Sequence, residues 1–290
     1  NVASALKKLE IDSVFIGCIG SDKLGKKFLE QLIRLKVNVD FLQLDNNLPT
    51  RIVKVERDNS GDRYFSGFDA KPNTVFADEA INKFLLQKNL SKLEKLFSET
   101  KYFVSGTNVL TSSMTKDSFY YLLGIAEKFG VKIVIDLNWR EAFWNYSTHS
   151  SKVRTEDRFN LIQSLLNHAH ILKLAKEEAN LFFETDNPLY ISNQLLNRPD
   201  VIITDGQDPV SWYINGFQGL TKVLISSKII DTTGAGDAFL GGLISKFISS
   251  GYPSTELEIQ DYVWFASACG FLTCLGEGAI EQQPDYAKVS

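Results

Sequence analysis

Long apolar runs are absent from this sequence. No stretch reaches the about 18 consecutive apolar residues that a membrane-spanning helix needs, so we expect no membrane contact. The net charge is also small, since 31 Lys and Arg residues stand against 35 Asp and Glu residues and leave −4 at pH 7. This balance gives no reason to expect nucleic acid as a partner.

Cysteine and histidine are both scarce. The three cysteines lie in apolar surroundings, and their odd count without framework spacing argues against disulfides. A reducing, cytoplasmic compartment fits this pattern. Cys269 and Cys274 have no histidine near them in the sequence, so we expect no zinc site. The three histidines lie in polar or helix-end contexts, and we expect no catalytic role for them.

The length and the composition fit a globular α/β protein. The 290 residues are 44% hydrophobic and 23% charged, which suits one large domain or one domain with a small appendage. Extended and helical patterns alternate along the chain, which predicts βαβ units and a largely parallel sheet. The predicted strands are 14–20, 102–106, 131–137, 170–174 and 201–204. The predicted helices are 26–35, 119–129, 158–169, 177–183, 238–248 and 263–272.

One segment breaks this alternation. Residues 50–57 alternate apolar and polar side chains, 59–62 have the composition of a turn, and 63–68 return as a second strand. We interpret this hairpin as part of a small β lid over about 38–71. A lid that excludes water suits an enzyme with a reactive intermediate or group. The alternatives are a decorative hairpin or a dimer contact.

The run from Asp231 to Asp237 (DTTGAGD) is the most informative feature. Gly234 and Gly236 let the backbone approach a ligand closely, and the following apolar pattern predicts a helix whose N-terminus favours an anion. A carboxylate at Asp237 would repel a phosphate in this cradle, and we interpret it as a base for a nearby hydroxyl. The run therefore indicates phosphoryl transfer to an alcohol. The alternative is a glycine-rich helix start with an N-terminal charge.

The same run, with the Ala-Phe and Gly-Gly pairs that follow it, resembles the C-terminal signature of the ribokinase-like sugar kinases, also called the PfkB carbohydrate kinases. The resemblance implies a ribokinase-like α/β fold: a mostly parallel sheet with helices on both faces and a small β lid. It implies that Asp237 takes the proton of a primary sugar hydroxyl. The backbone N–H groups of Gly234, Ala235 and Gly236 would stabilise the transferring group.

The resemblance also implies a domain organisation. We expect a single kinase domain over 1–290, with the lid inserted at about 38–71. Asn1-Val2-Ala3 looks like the end of the family's N-terminal signature, which implies that the first strand, a pair of glycines and an acidic sugar ligand precede Asn1. Because some family members dimerise through their lids, a homodimer is a further expectation.

Sugar-binding residues follow from the same resemblance. Asn1 would bond to sugar hydroxyls. Asp136-Leu137-Asn138-Trp139-Arg140 resembles the Asp-x-Asn-x-Arg motif of fructokinase-like and 2-keto-3-deoxygluconate kinase-like members. Arg140 offers a planar fork to phosphate or to a sugar acid, and Asn138 can donate to the same group. Gly106 ends another predicted strand and is a further candidate for the sugar pocket.

Nucleotide-binding residues are implied in three places. Thr204-Asp205-Gly206 resembles the family's Thr-x-Gly nucleotide turn, although Pro209 stands where a second glycine is often found. Thr204 and Gly206 are therefore candidate ATP ligands. The remaining candidates are Thr233 in the glycine run, with Ser267 and Gly270 in a helix of small residues next to adenine.

Two metal sites are implied as well. Glu178 corresponds to the family's glutamate that holds Mg²⁺ through water, with Ala175 in place of the usual asparagine. The loop after residue 272 resembles one that holds a monovalent cation such as K⁺ through carbonyl oxygens. The residues implied for that ion are Asp231, Thr233, Thr273, Gly276 and Gly278.

The sequence thus predicts an ATP-dependent kinase that phosphorylates a primary hydroxyl of a sugar. Fructose is the first choice of acceptor, because the Asp-x-Asn-x-Arg string and the Ala-Ser-Ala-Cys-Gly string at 266–270 look fructokinase-like. The alternatives are 2-keto-3-deoxygluconate and ribose. An alternative of another class is a non-catalytic binding or regulatory protein, for which Ala175 and Pro209 would be signs of a decayed site.

Overall fold

The computed structural model describes residues 1–57, 63–71, 74–146, 155–226 and 228–289. The strands are β1 (Gly17–Gly20), β2 (Leu42–Asp45), β3 (Val53–Arg57), β4 (Arg63–Phe68), β5 (Tyr102–Gly106), β6 (Lys132–Asp136), β7 (Ile171–Ala175), β8 (Asp200–Asp205), β9 (Asp208–Ile214) and β10 (Phe217–Thr221). The helices are α1 (Val2–Lys8), α2 (Lys23–Arg34), α3 (Lys83–Lys88), α4 (Leu90–Glu99), α5 (Ser113–Lys128), α6 (Glu141–Tyr146), α7 (Thr155–Leu166), α8 (Lys176–Phe183), α9 (Pro188–Gln194), α10 (Ala235–Ser249), α11 (Glu256–Thr273) and α12 (Tyr286–Val289). None of the helices in these ranges is both long and apolar enough to span a bilayer.

Six strands form the central sheet, in the order β10–β9–β8–β7–β6–β5. Strands β5 to β8 are parallel to one another, whereas β9 is antiparallel to β8 and β10 to β9. Parallel neighbours need crossover connections, and helices supply them here. The carboxyl ends of β5, β6, β7 and β8 therefore meet at one edge of the sheet. The predicted, mostly parallel α/β fold is confirmed.

Alternate residues of the central strands face two separate cores. On β6, Ile133 and Ile135 belong to one core, and Val134 belongs to the other. Residues of α5 and α7 complete the first core, and residues of α1, α10 and α11 complete the second. Each fully buried Ile or Val contributes about 1.5–3 kcal/mol by leaving water. Helices thus cover both faces, as predicted.

The segment 38–71 contains two different pairings. Strand β2 is parallel to β1, with Gly17 opposite Leu42, in a two-stranded sheet of its own. Strands β3 and β4 form an antiparallel hairpin, as the alternating pattern predicts. The predicted turn at 59–62 lies outside the described residues. The described strands within the proposed lid at about 38–71 are thus β2 and the hairpin β3–β4.

An arginine holds the base of the hairpin against α6 and the segment at 76–79. The guanidinium of Arg51 lies 4.6, 4.3 and 4.9 Å from the ring centroids of Phe68, Phe76 and Phe143. One of its nitrogens is 3.1 Å from a carboxylate oxygen of Glu79. Cation–π contacts of a desolvated arginine are worth about 2 kcal/mol. Because Phe143 belongs to α6, this cluster connects the hairpin with the segment that follows the Asp-x-Asn-x-Arg motif.

The hairpin β9–β10 was not predicted, although the sequence contains its signal. Asn215 and Gly216 connect the two strands, and both have positive φ angles, of 49° and 83°. An Asn-Gly pair with this backbone is the preferred two-residue turn of a β-hairpin. Gly206 and Gln207 form the tight connection from β8 to β9. Pro209 is the second residue of β9.

Candidate active site

The candidate site lies where the carboxyl ends of the parallel strands face the N-terminus of α10. Gly106 at the end of β5 is paired with Asp136 at the end of β6, and Lys173 of β7 is also paired with Asp136. Ligands of open α/β sheets bind beyond the carboxyl ends of the strands. The fold therefore gathers residues from several strands and one helix end at a single place.

Gly234 forms the turn that begins α10. Its φ of 81° is in the left-handed region, which glycine adopts without steric cost. A Cβ at this position would lie 2.8 Å from the Cβ and from the carbonyl oxygen of Ala279. The turn is thus packed tightly against the loop that follows α11. The first backbone N–H groups of α10 lack intrahelical acceptors and carry the positive end of the helix dipole, so they suit an anion.

Asp231 ties this turn to the same loop. One carboxylate oxygen accepts a hydrogen bond from the backbone N–H of Thr233, at 2.9 Å, and the other from that of Gly278, at 3.1 Å. The backbone N–H groups of Ile230 and Asp231 donate to the carbonyl of Cys274. These bonds hold the two segments proposed for the monovalent cation side by side.

Asp237 lies in the first turn of α10 and is half-buried. The side-chain amide of Asn1 donates to its carboxylate over 2.7 Å. Two residues that are 236 positions apart in the sequence thus meet at the proposed base. The amide group of Asn1 can also form a hydrogen bond with a sugar hydroxyl that approaches the same carboxylate oxygen.

A buried ion pair lies beside this turn, and the sequence analysis missed it. The Lys173 ammonium is 3.1 and 3.2 Å from the two carboxylate oxygens of Asp136. A Cβ at Gly236 would lie 2.9 Å from the Lys173 Nζ. Gly236, which the sequence analysis assigned to ligand approach, therefore also makes room for this lysine. The available signal was a lone charged residue inside the apolar run of β7.

Glu178 binds backbone groups from two neighbouring segments. Its carboxylate accepts hydrogen bonds from the N–H of Trp139 at 2.6 Å and from the N–H of Ala175 at 2.8 Å. The side chain is buried at the start of α8. Each carboxylate oxygen has a second lone pair, so these bonds leave Glu178 able to accept from a metal-bound water.

Carboxylates dominate the electrostatics of the site. Burial raises the pKa of Asp136 to about 6, the Lys173 ammonium opposes this rise, and the charges of Asp237 and Glu178 add to it. Three acidic groups thus interact around one lysine. In the described ranges, no three His, Cys, Asp or Glu side chains converge as a metal cluster. Magnesium at nucleotide sites keeps several waters and needs one or two carboxylates, which Glu178 and its neighbours can provide.

The predicted sugar residues lie on two adjoining strand ends. A Cβ at Gly106 would be 3.3 Å from the carbonyl oxygen of Asp136 and 3.9 Å from the Cβ of Asn138. Asn138 has a φ of 44°, a left-handed conformation that asparagine tolerates better than most residues. Arg140 is exposed, and its guanidinium donates to the carbonyl of Trp139 at 3.0 Å. The structure thus brings Gly106 and Asn138 together and places Arg140 at the outer edge.

Among the predicted nucleotide residues, Thr233 lies in the turn before α10, and the other four fall into two groups. Thr204 and Gly206 are at the connection from β8 to β9, where Lys176 donates to the carboxylate of Asp205 at 2.8 Å. Ser267 is buried, and its hydroxyl donates to a carbonyl of its own helix. A Cβ at Gly270 would lie 3.1 Å from the carbonyl oxygen of Ala235. Gly270 thus lets α11 pack against the first turn of α10.

The remaining residues proposed for the monovalent cation lie at the end of α11 and beyond it. Thr273 is fully buried, and its hydroxyl donates to the carbonyl of Cys269. A Cβ at Gly276 would lie 2.3 Å from the side chain of Gln282, and Gly278 has a φ of 96°. The loop is therefore compact, with carbonyl oxygens as its candidate cation ligands.

The comparisons with known proteins identify the family of the chain. The model of the pfkB family carbohydrate kinases matches residues 1–285. The Arabidopsis thaliana protein named probable fructokinase-7 is 28% identical, over 100% of this chain and 80% of its own length. The structure of Xylella fastidiosa fructokinase with bound ATP superposes with a TM-score of 0.82 at 24% identity, over 99% of this chain and 87% of that one. A Vibrio cholerae O395 fructokinase bound to fructose, ADP and calcium gives a TM-score of 0.79 at 22% identity, with the same two coverages. The chain belongs to the pfkB family of carbohydrate kinases.

Proposed function

We propose that this chain transfers the γ-phosphate of ATP to a primary hydroxyl of fructose. The observation that carries the proposal is the position of Asp237, which lies in the first turn of α10 next to an anion-binding helix end and within hydrogen-bond distance of Asn1. A carboxylate and a phosphate cradle side by side suit the deprotonation of an alcohol as it attacks phosphorus.

In this mechanism the sugar hydroxyl oxygen forms a bond to the γ-phosphorus while the bond from that phosphorus to the bridging oxygen breaks. Asp237 takes the proton of the hydroxyl, and ADP leaves. The N–H groups of Gly234, Ala235 and Gly236 stabilise the charge on the transferring group. Asn1 orients the Asp237 carboxylate and releases it to the incoming hydroxyl.

Sugar binding is assigned to the adjoining strand ends. Asn138 and Gly106 lie next to each other, and we assign the Asn138 side-chain amide and the Gly106 backbone to the sugar hydroxyl groups. Arg140 at the outer edge supplies a planar cation for an anionic group. Fructose is favoured because the relatives at 25–29% identity are named fructokinases. The acceptors 2-keto-3-deoxygluconate and ribose are the alternatives within the same chemistry.

Nucleotide and metal binding complete the proposal. Thr204, Gly206 and Thr233 are assigned to the ATP side, with Ser267 and Gly270 supporting it from α11. Magnesium, held through water by Glu178, would neutralise charge on the β- and γ-phosphates when bound. A monovalent cation such as K⁺ would be held by carbonyl oxygens of Asp231, Thr233, Thr273, Gly276 and Gly278, next to the turn of Gly234.

The proposal extends to assembly and location. Ile52 and Val53 are exposed apolar residues at the start of the hairpin β3–β4, which supports a homodimer formed through the lid. Sedimentation of wild-type protein and of an Ile52→Lys variant tests this, with dissociation of the variant as the expected result. The cysteines Cys18, Cys269 and Cys274 are buried and free, which is consistent with a cytoplasmic enzyme.

A coupled ATP-consumption assay tests the catalytic proposal. Fructose, 2-keto-3-deoxygluconate, ribose and adenosine are offered in turn, with Mg²⁺ and with or without K⁺. We expect the highest kcat/KM with fructose. Turnover of only another sugar would support the proposed kinase activity and identify that sugar, instead of fructose, as the acceptor. Folded protein that consumes no ATP with any of the four compounds would support the non-catalytic alternative.

A further inference from the structure

The ion pair between Lys173 and Asp136 is buried beside the candidate site, and this burial needs an explanation. Lys173 is on the central strand β7, between Leu172 and Leu174, and both side chains of the pair are 9% exposed. Removing two charges from water is costly, and apolar residues of similar size often serve stability equally well. A buried titratable group with a specific charge partner at the edge of a ligand site is a candidate for a functional role.

The direction of the pair is fixed by Gly236. Every Cα–Cβ bond of an α-helix tilts toward the helix N-terminus. Because a Cβ at Gly236 would lie 2.9 Å from the Lys173 Nζ, the ammonium stands beside the first turn of α10, toward its N-terminal end. Asp136 bonds the same ammonium from the strand side. The positive end of the pair therefore faces the anion-binding turn.

The charges around the turn suggest an electrostatic role for Lys173. Asp136, Glu178 and Asp237 interact as three acidic groups in one small region. A phosphoryl group that enters beside three carboxylates is repelled unless a cation offsets them. The Lys173 ammonium is bonded within this cluster and is directed toward the site of the phosphoryl group.

We propose that Lys173 is a positioning residue for phosphoryl transfer: held by Asp136, its ammonium lies next to the first turn of α10, offsets the negative charges of Glu178 and Asp237, and strengthens the binding of the γ-phosphoryl group there. This role rests on the proposed function of that turn. Gly236 is required for it, since a side chain there would displace the ammonium.

Three variants separate this role from simple neutralisation of a buried acid. Lys173→Met removes the charge and keeps the length of the side chain, but it leaves Asp136 unpaired. Lys173→Met combined with Asp136→Asn removes both charges, so it restores stability if pairing was the main structural task. Asp136→Asn alone keeps the ammonium. The measurements are the melting temperature, kcat, and the calorimetric affinities for AMP-PNP and ADP in the presence of Mg²⁺.

We expect the double variant to melt near the wild-type temperature but to keep the kinetic defect of Lys173→Met. The expected fall in kcat is about 100-fold, the size found when one oxyanion-hole donor is removed. Affinity for AMP-PNP should fall about tenfold, which corresponds to about 1.4 kcal/mol, while affinity for ADP, which has no γ-phosphoryl group, stays unchanged. Asp136→Asn alone should retain more activity than either lysine variant.

Recovery of kcat and of AMP-PNP affinity in the double variant would overturn the proposal, because the pair would then be purely structural. Wild-type protein that binds AMP-PNP but phosphorylates no sugar would contradict the proposed function instead, and the comparison of AMP-PNP with ADP would still decide the role of Lys173. A cycle of Gly236→Ala and Lys173→Met adds a further check. Their effects on AMP-PNP affinity should be non-additive if the added methyl acts by displacing Lys173, and additive effects would count against the proposal.

Discussion

Asp200 should make the stability of this protein depend on pH in a way that one substitution removes. Burial raises the pKa of Asp200 to about 6, although the N–H of Asn215 and the charge of Lys132 oppose the rise. The hydroxyl of Tyr252 also donates to this carboxylate. The folded protein therefore holds the proton of Asp200 more tightly than the unfolded chain does.

The direction and size of the effect follow from this difference. Because the folded pKa is above the unfolded one, the stabilisation is complete below pH 3.8 and is lost as the pH rises through about 6. Each pH unit between the two values is worth about 1.4 kcal/mol, so the gap from 3.8 to about 6 corresponds to about 3 kcal/mol. Asp200→Asn removes this titration while its amide can still accept from Asn215.

Urea unfolding at a series of pH values measures the prediction. The free energy of unfolding of Asp200→Asn, relative to wild type, should increase by up to about 3 kcal/mol from pH 4 to pH 7.5. The exposed Asp117 provides the matched control, since Asp117→Asn should show no comparable increase. A constant difference between Asp200→Asn and wild type across this range would refute the reasoning.

Three further predictions concern the glycine turn, the core and the metal. Gly234→Ala should destabilise the protein by about 1–2 kcal/mol for its positive φ alone and should lower kcat, because the new Cβ meets Ala279; wild-type kcat in steady-state assays would contradict this. Leu243 is fully buried in α10, so Leu243→Ala should lower the free energy of unfolding in urea by about 2–5 kcal/mol. Leu257 is 77% exposed, so Leu257→Ala should stay within about 0.5 kcal/mol of wild type. Equal effects of the two substitutions would count against the assigned core. Glu178→Gln should raise the Mg²⁺ concentration needed for half-maximal velocity, and an unchanged Mg²⁺ titration would remove Glu178 from the proposed metal site.

The sequence predicted those parts of the fold that depend on local pattern. The apolar runs of β6 and β8 are short, bounded by polar residues and rich in Ile and Val, so their strand structure could be read directly. The hairpin β9–β10 was missed because its strands are less apolar, although Asn215-Gly216 marked the turn. The parallel pairing of β2 with β1 depends on contacts distant in sequence.

The candidate site shows the same division. The glycine run sufficed to propose Asp237 as the base and the turn before α10 as an anion site, because close backbone approach and a helix N-terminus are local properties. Asp136 and Lys173 are 37 residues apart and meet only when β6 and β7 pair, so no local pattern could join them. The role of Gly236 in making room for Lys173 could not be predicted either, because Lys173 lies on β7, far from Gly236 in the sequence. The contact of Gly270 with α10 is likewise a product of tertiary packing.

The central claim is that Asp237 is the base of a sugar kinase. The most direct test compares kcat for fructose and the affinity for ATP in wild-type protein and in Asp237→Asn, which keeps the shape of the side chain and removes its basicity. We predict that kcat falls by about 10²–10⁴-fold, the usual contribution of a general base, while ATP affinity remains close to that of wild type. Turnover of fructose by Asp237→Asn at the wild-type rate would contradict the account.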